Sequence, residues 1–220
     1  MQNCAIVVAA GRGKRFGGYK QFHMYRDHPI LYYALRAFER YRSVDEIVLV
    51  VPKNRIAFVK AIIKRSRFQK IKAVVPGGKR RQDSVKNGFQ VIERRTGCVI
   101  IHDGARPAVN PGLLQKGLRL CRKYRAVIFG LPVTDTVKII RDHRVVSTLN
   151  RRELSLVQTP QFFRVSLLAE AYARVDFDRN FTDEAGLVEA AGFPVYHFEG
   201  DRENIKITER GDLQRLGKRL

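Results

Sequence analysis

The sequence predicts an α/β fold with a mostly parallel β-sheet and helices on both faces. Short, continuous apolar runs alternate with stretches whose apolar residues recur at helical spacing. Strands that are apolar throughout are typical of parallel sheets, which helices cover on both sides. The 220 residues suffice for one such domain, and no repeat, low-complexity tract or linker divides them. We therefore predict a single domain over residues 1–220.

The strands and helices alternate regularly in the first part of the chain. Predicted strands lie at residues 4–8, 46–51, 71–75, 98–101 and 126–131. Predicted helices carry the apolar residues of 30–41, 56–63, 85–92 and 113–121. Beyond residue 151 we expect helices at 164–174 and 183–191, a strand at 195–199 and a terminal helix.

Residues 134–151 interrupt this alternation. β-Branched residues, Ile139 and Val145 among them, flank the turn-like tetrapeptide 141–144, and this pattern predicts a β-hairpin. Because a two-stranded hairpin is rarely stable alone, the arm should pack on another surface. A second subunit is one candidate for that surface.

The first strand leads into a glycine-rich loop, residues 9–20, with the sequence AAGRGKRFGGYK. Gly11 and Gly13 let the backbone turn sharply and approach a ligand closely. Arg15 and Lys20 add fixed positive charge, which together with backbone N–H groups suits a polyphosphate. The loop lacks the third glycine of the dinucleotide fingerprint and the Gly-Lys-Ser/Thr ending of a Walker A loop. An ordinary glycine-rich turn with solvated cations is the alternative.

Charged residues follow several of the predicted strands, at the sheet edge where ligands of open α/β sheets bind. This edge gathers Arg15, Lys20, Asp103, Arg106, Lys138 and Lys206. Asp103 directly follows an apolar strand and a histidine, a common place for a metal-binding carboxylate. A helix cap or a loop carboxylate is the alternative for Asp103, and a solvated surface charge is the alternative for each cation. Their convergence favours an anionic ligand.

The overall charge narrows the partners that the chain can have. A formal net charge of +21 favours acidic ligands or nucleic acid, although a proteome rich in lysine and arginine would give the same surplus. The basic residues are scattered, which disfavours nucleic acid. Cys4, Cys98 and Cys121 form neither a disulfide framework nor a metal motif. With no apolar run of membrane-spanning length and no signal peptide, we expect a cytoplasmic protein.

Several ordered motifs identify a family. They are AAGRGKRFGGYKQF at 9–22, GGKRRQDSVKNG at 77–88, HDGARP at 102–107, PVTDTVK at 132–138, QTPQFF at 158–163, TDEA at 182–185 and EGDRENIKIT at 199–208. With these motifs the chain resembles, nearly end to end, the 2-C-methyl-D-erythritol 4-phosphate cytidylyltransferases of the nonmevalonate isoprenoid pathway. The resemblance implies a Rossmann-like nucleotidyltransferase domain with a β-arm, at about 134–151, that embraces a second subunit.

The resemblance also implies a reaction, in which CTP and 2-C-methyl-D-erythritol 4-phosphate give the CDP-alcohol and pyrophosphate with Mg²⁺ or another divalent cation. The substrate phosphate attacks the α-phosphorus of CTP in line. Because a phosphate monoester has a second pKa of ~6, the nucleophile is largely dianionic at neutral pH and needs no general base. Catalysis then consists of positioning and of charge stabilisation by cations.

The site residues implied by the resemblance fall into three groups. Arg15 and Lys20 would stabilise the transition state. CTP would contact Ala10, Gly11, Gly13, Gly77, Gly78 and Ser84, with Asp103 and the metal near its phosphates. The second substrate would be positioned by Arg106, Thr136, Arg151, Thr159 and Lys206. Of these, Thr136 and Arg151 would reach the site of the neighbouring subunit in a homodimer.

Three departures from the family pattern concern the site, and the mildest is Gly104, which replaces the usual alanine or serine. Tyr19 stands where a proline is usual before the lysine, in a loop that is short between Arg15 and Lys20. Lys79 stands where an acidic residue is common after Gly-Gly.

Three other functions are alternatives to this one. A ribitol-5-phosphate cytidylyltransferase shares the fold and most motifs. A sugar-1-phosphate nucleotidyltransferase shares the glycine loop but is disfavoured by the compact size and the later motifs. A basic nucleic-acid-binding module is the non-enzyme alternative, and a steep salt dependence of duplex binding without CTP turnover would favour it.

Overall fold

The computed structural model describes residues 2–93 and 95–216. Its strands are β1 (Gln2–Val8), β2 (Met24–Tyr25), β3 (His28–Pro29), β4 (Glu46–Val51), β5 (Ile71–Pro76), β6 (Thr96–Asp103), β7 (Ala126–Pro132), β8 (Lys138–Arg141), β9 (Arg144–Thr148), β10 (Ser155–Arg164) and β11 (Tyr196–Glu199). The α-helices are α1 (Ile30–Arg40), α2 (Ile56–Ser66), α3 (Arg81–Phe89), α4 (Pro111–Tyr124), α5 (Val165–Arg174) and α6 (Glu184–Ala190). None of the helices in these two ranges is both long and apolar enough to cross a membrane.

Seven strands form one sheet in the order β11-β7-β10-β6-β1-β4-β5. Every pairing is parallel except those of β10, which runs antiparallel to both β6 and β7. Buried apolar side chains pack on both faces of this sheet, so the core consists of two layers, one on each side. The predicted fold, mostly parallel with helices on both faces, is therefore confirmed.

Strand β10 is the strand of the seven-stranded sheet that the sequence did not predict. Its segment contains Gln158, Thr159 and Gln161, and all three polar side chains are buried. Pro160 also lies inside it, and proline is found in sheets mainly on edge strands or at bulges. The pairing of β10 with β7 is irregular between Gln158 and Phe162, where the register shifts. The apolar-run criterion therefore missed a strand whose polar side chains point into the protein.

Three other predicted elements differ from the structure, two in a boundary and one in helix type. Strand β6 continues through His102 and ends at Asp103, so this pair lies in the strand and not in the following loop. Helix α3 ends at Phe89, which leaves Ile92 outside it. The terminal helix is a 3₁₀ helix at Arg210–Leu216. Its start is held by Asp212, whose Oδ2 accepts the N–H groups of Thr208 and Glu209 at 2.8 and 3.0 Å.

The predicted hairpin is present as the two-stranded sheet of β8 and β9. Asp142 and His143 at its tip both have positive φ, 46° and 63°, as a two-residue hairpin turn of the primed type requires. Every residue of β8 and β9 is exposed. The hairpin therefore projects from the domain as an arm.

Candidate active site

The glycine-rich loop begins where β1 ends, and β1 lies inside the sheet between β6 and β4. Gly13 has φ +62°, and a Cβ on it would overlap the carbonyl oxygen of Gly18. The N–H of Gly18 donates to the Gly13 carbonyl oxygen at 3.2 Å, which closes the intervening residues into a tight turn. Only glycine satisfies both the backbone conformation and this close approach.

Lys20 is the last residue of this loop, and its neighbour in sequence holds it in place. The buried side chain of Gln21 donates from Nε2 to the carbonyl oxygens of Ala9 at 2.6 Å and Gly11 at 3.0 Å. Lys20 itself is half-buried. Burial lowers its pKa, and the nearby charge of Lys206 lowers it further. Because these cations repel one another, an anion bound between them would be stabilised.

The Gly77-Gly78 turn packs tightly against the glycine loop. A Cβ on Gly77 would overlap the Cβ of Ala10, and one on Gly78 would overlap the side chain of Asp83. The Gly78 N–H donates to Ser84 Oγ at 3.0 Å, which ties the turn to the first turns of α3. Glycine at both positions lets this turn form one wall of the site.

Asp103 lies at the end of β6 and is bound from three sides. Its N–H donates to Thr159 Oγ1 at 3.0 Å. Its Oδ1 accepts from Arg81 Nε at 3.1 Å, and its Oδ2 accepts from Lys206 Nζ at 2.6 Å. Burial alone would raise the pKa of Asp103, but the charges of Arg81 and Lys206 hold it well below its usual range. Asp103 is therefore ionised at neutral pH.

Arg81 has a structural role that the sequence did not predict. Besides Asp103, it contacts Glu184 through Nη1 and Oε2 at 2.6 Å, and the Glu184 side chain is only 1% exposed. Burial opposes the charge of Arg81, but the two carboxylates raise its pKa above the ordinary value. Removing one partner of such a buried ion pair typically costs about 3–5 kcal/mol. Arg81 thus fixes Asp103 to α6.

A cleft of about 580 Å³ lies between the glycine loop and the Gly77-Gly78 turn. Eight of the predicted site residues line it, namely Ala10, Gly11, Gly13, Lys20, Gly78, Ser84, Asp103 and Lys206. The departure Lys79 lines the cleft as well, together with Arg12 and Lys14. Among its lining residues Asp103 is the single carboxylate, so the cleft is strongly basic.

A smaller hollow of about 240 Å³ adjoins the cleft and shares Arg81, Asp103 and Lys206 with it. Its other predicted residues are Arg106 and Thr159. Arg106 is buried, and its Nη1 donates to the carbonyl oxygen of Asn204 at 2.6 Å. Asp103 and Lys206 therefore lie where two ligands, one in each space, would meet.

Four predicted site residues line neither space. Gly77 lies behind the cleft wall, and Arg15 is exposed on the 3₁₀ turn Lys14–Phe16. Thr136 and Arg151 are exposed at the two ends of the arm. Arg151 Nη1 donates to the carbonyl oxygen of Thr134 at 2.7 Å. Within one chain, the structure therefore does not bring the arm residues to the cleft.

The chemistry of the cleft is that of a polyanion site. It combines the backbone of the glycine loop, several cations and one ionised carboxylate. Within residues 2–93 and 95–216, no group of three or more His, Cys, Asp or Glu side chains could by itself hold a metal ion. Such a site can bind and neutralise phosphate groups, the main requirement of phosphoryl or nucleotidyl transfer.

Comparisons with known proteins agree with this geometry. Residues 3–217 match the family model described as 2-C-methyl-D-erythritol 4-phosphate cytidylyltransferase. The enzyme of that name from Alkaliphilus metalliredigens is 44% identical over 94% of this chain and 88% of its own length. A crystal structure of 4-diphosphocytidyl-2C-methyl-D-erythritol synthase from Anaerococcus prevotii superimposes with a TM-score of 0.83 at 31% identity, over 97% of this chain and 93% of that one. The Francisella tularensis cytidylyltransferase gives a TM-score of 0.83 at 29% identity, over the whole of both chains.

These matches support the methylerythritol phosphate substrate over the ribitol phosphate, sugar-1-phosphate and nucleic-acid alternatives. The chain belongs to the 2-C-methyl-D-erythritol 4-phosphate cytidylyltransferase family, whose members are nucleotidyltransferases that transfer CMP from CTP to 2-C-methyl-D-erythritol 4-phosphate.

Proposed function

We propose that the large cleft binds CTP and that the adjoining hollow binds methylerythritol phosphate. The observation that carries this assignment is the convergence of the glycine-loop backbone, Lys20 and Asp103 around one basic cleft. The triphosphate would lie along the backbone of residues 10–13. The cytosine would lie at Gly78 and Ser84, on the turn that α3 holds in place.

The hollow suits the phosphate of the second substrate. Arg106 and Lys206 offer cations there, and Thr159 lies beside them. Because Lys206 and Asp103 border both spaces, a phosphate in the hollow would lie next to the α-phosphate in the cleft. This adjacency supports a direct attack of one phosphate on the other.

The mechanism follows from the charges. A dianionic phosphate oxygen attacks the α-phosphorus of CTP in line, the bond to the bridging oxygen of the β-phosphate breaks, and pyrophosphate leaves. Negative charge grows on the oxygens around the α-phosphorus during this step. Lys20, with Arg15 nearby in the same loop, would stabilise that charge, and Lys206 would neutralise the attacking phosphate.

The residues present fit a magnesium ion that the nucleotide helps to hold. Mg²⁺ commonly binds through one or two carboxylates together with substrate phosphates and water. Asp103 supplies one ionised carboxylate at the cleft, and the cleft lining contains no other. We therefore propose that Asp103 and the CTP phosphates hold Mg²⁺, which would add positive charge at the reacting phosphorus.

Replacing Asp103 by asparagine is expected to raise the Mg²⁺ concentration for half-maximal turnover by about tenfold or more. The reason is that the amide retains the shape of the side chain but loses the charge that attracts the cation. The measurement is pyrophosphate release at saturating CTP over a range of Mg²⁺ concentrations, with Asp27→Asn, an exposed aspartate outside the cleft, as the control. A lower kcat with an unchanged Mg²⁺ requirement would show that Asp103 only organises Arg81 and Lys206.

We further propose that the arm forms a homodimer. Ile140, Val145 and Val146 on the arm are 63%, 60% and 54% exposed in a single chain, and an isolated hairpin is at best marginally stable. A second copy of the chain would cover these side chains. In such a dimer Thr136 and Arg151, which line neither space in their own chain, would contribute to the partner's hollow.

We also propose a cytoplasmic location. The three cysteines are all free and buried, as is common in proteins of a reducing compartment.

A further inference from the structure

The segment that carries Lys20 is constrained unequally on its two sides. On the C-terminal side, Gln21 is tied to Ala9 and Gly11 by the two hydrogen bonds described above. On the N-terminal side lie Gly17 and Gly18, with φ of 83° and 150°. Each donates one backbone hydrogen bond, from Gly17 N–H to Lys14 at 3.3 Å and from Gly18 N–H to Gly13 at 3.2 Å, but neither has a side chain that could pack and restrict the segment further. The position of Lys20 therefore depends on what holds Tyr19, the residue between the glycines and the lysine.

Tyr19 is held by its side chain. Its ring lies 6.0 Å from the ring of Phe22, and the Arg55 guanidinium lies over it at 5.5 Å. Phe22 in turn contacts Phe58 edge to face at 5.7 Å. These four residues, called here the Tyr19 cluster, connect the Lys20 segment to the start of α2. Arg55 is exposed and reaches the ring from the short 3₁₀ turn that follows β4.

The backbone of Tyr19 has a conformation that proline would also adopt. Its φ is −67°, and proline holds φ at about −65° by its ring. Among the described backbone hydrogen bonds, none uses the Tyr19 N–H, which proline lacks. Tyrosine has no covalent restriction on φ. In this chain the side-chain contacts of Tyr19 restrict its backbone, as the pyrrolidine ring would in a proline.

We propose that Tyr19, held by Arg55 and Phe22, is a positioning residue that keeps Lys20 directed into the cleft. This inference rests on the role proposed above for Lys20. Tyr19 lines neither the cleft nor the hollow, so it acts through the backbone that it shares with Lys20. Loss of its ring would leave Lys20 held by the glycines, by Gln21 and by its own 3₁₀ turn, in which Phe22 N–H donates to the Tyr19 carbonyl oxygen and His23 N–H donates to that of Lys20, both at 3.0 Å. A small displacement of a charge-stabilising group lowers the rate of the chemical step more than the affinity for substrate.

The test is a set of variants at Tyr19 and Arg55, assayed by pyrophosphate release. Tyr19→Ala is expected to lower kcat by about tenfold or more, with little change in KM for CTP. Tyr19→Phe, which keeps the ring, and Tyr19→Pro, which restricts φ directly, are expected to retain most of kcat. Arg55→Gln is expected to lower kcat by about threefold, because the free energy of one exposed cation–π contact corresponds to a change of about that size. Arg65→Gln, the same change at an exposed position of α2, is the control for charge.

The double variant Tyr19→Ala/Arg55→Gln separates the cluster from a general loss of positive charge. If Arg55 acts only through the Tyr19 ring, the double variant loses no more kcat than Tyr19→Ala alone. Additive losses, or an equal loss in Arg65→Gln, would contradict the proposed contact. Thermal unfolding of each variant shows whether a lower kcat comes from a less stable protein.

Measuring Lys20→Ala in parallel distinguishes the two proposals. If Lys20→Ala is nearly inactive while Tyr19→Ala has kcat within about twofold of the wild type, Lys20 is catalytic and the positioning role of Tyr19 is wrong. If Lys20→Ala retains full turnover, the proposed role of Lys20 is wrong, and the inference about Tyr19 fails with it. A loss in Tyr19→Ala that Tyr19→Pro restores would support the positioning role.

Discussion

Replacement of Lys20 by alanine is expected to lower kcat by about a thousandfold, the usual effect of removing one charge-stabilising group from such a site. Lys20 lies in the cleft beside Asp103 and Lys206, where charge would grow at the reacting phosphorus. CTP should still bind, because the glycine-loop backbone and the other cations of the cleft remain. The measurement is pyrophosphate release at saturating substrates, with CTP affinity measured separately by calorimetry.

A comparable loss of kcat is expected for Arg15→Ala. Arg15 is exposed and lines neither space, but its charge contributes to the lowered pKa of Lys20. Lys60→Ala removes an exposed positive charge from α2 and serves as the control for both variants. Near-normal turnover in Lys20→Ala or in Arg15→Ala would remove that residue from the catalytic assignment. A loss that saturating CTP reverses would instead indicate a role in substrate affinity.

Two inactive variants are expected to restore activity when they share a dimer. Lys20→Ala inactivates the site of its own subunit, whereas Arg151→Ala is expected to inactivate the site of the partner. In a mixed dimer one of the two sites then receives an intact Lys20 and an intact Arg151. Random mixing of equal amounts should therefore yield about a quarter of the wild-type activity, as the symmetry of a two-fold dimer requires.

The experiment requires dimers that contain one subunit of each variant. An affinity tag on one variant allows these mixed dimers to be purified and verified. The structural basis is that Arg151 is exposed and lines neither the cleft nor the hollow of its own chain. No recovery of activity in purified mixed dimers would contradict a site shared between subunits. Arg151→Ala with full activity on its own would contradict any role of the arm in the reaction.

The fold could largely be predicted because its strands are local apolar runs. Strand β4 has the predicted bounds, since six consecutive buried residues lead directly to Pro52. The arm was predicted from its turn and its β-branched residues, and it is present. Strand β10 was missed because Gln158, Thr159 and Gln161 break its apolar pattern. These polar side chains are buried for reasons that only the tertiary structure shows, such as the bond between Asp103 N–H and Thr159 Oγ1.

The site could be predicted where the sequence places residues at strand ends. The glycine loop and Asp103 converge because the carboxyl ends of β1 and β6 lie side by side. Lys206 follows β11 and joins them through its ion pair with Asp103. The contact of Arg81 with Glu184 joins residues 103 positions apart, and no local pattern indicates it. The cluster around Tyr19 was equally hidden, because Arg55 comes from the turn after another strand. The arm residues Thr136 and Arg151 line neither the cleft nor the hollow of their own chain, and their place in the partner's site stays a prediction.

The proposed assignment of the two spaces is tested most directly by pyrophosphate release from CTP in the presence of Mg²⁺. Three acceptors are compared: 2-C-methyl-D-erythritol 4-phosphate, ribitol 5-phosphate and glucose 1-phosphate. The basic cleft and the adjoining hollow are proposed to join CTP to the first of these. We predict turnover with methylerythritol phosphate and none comparable with the other two. A preference for ribitol 5-phosphate, or no pyrophosphate release with any of the three, would contradict the proposed assignment of the cleft and the hollow.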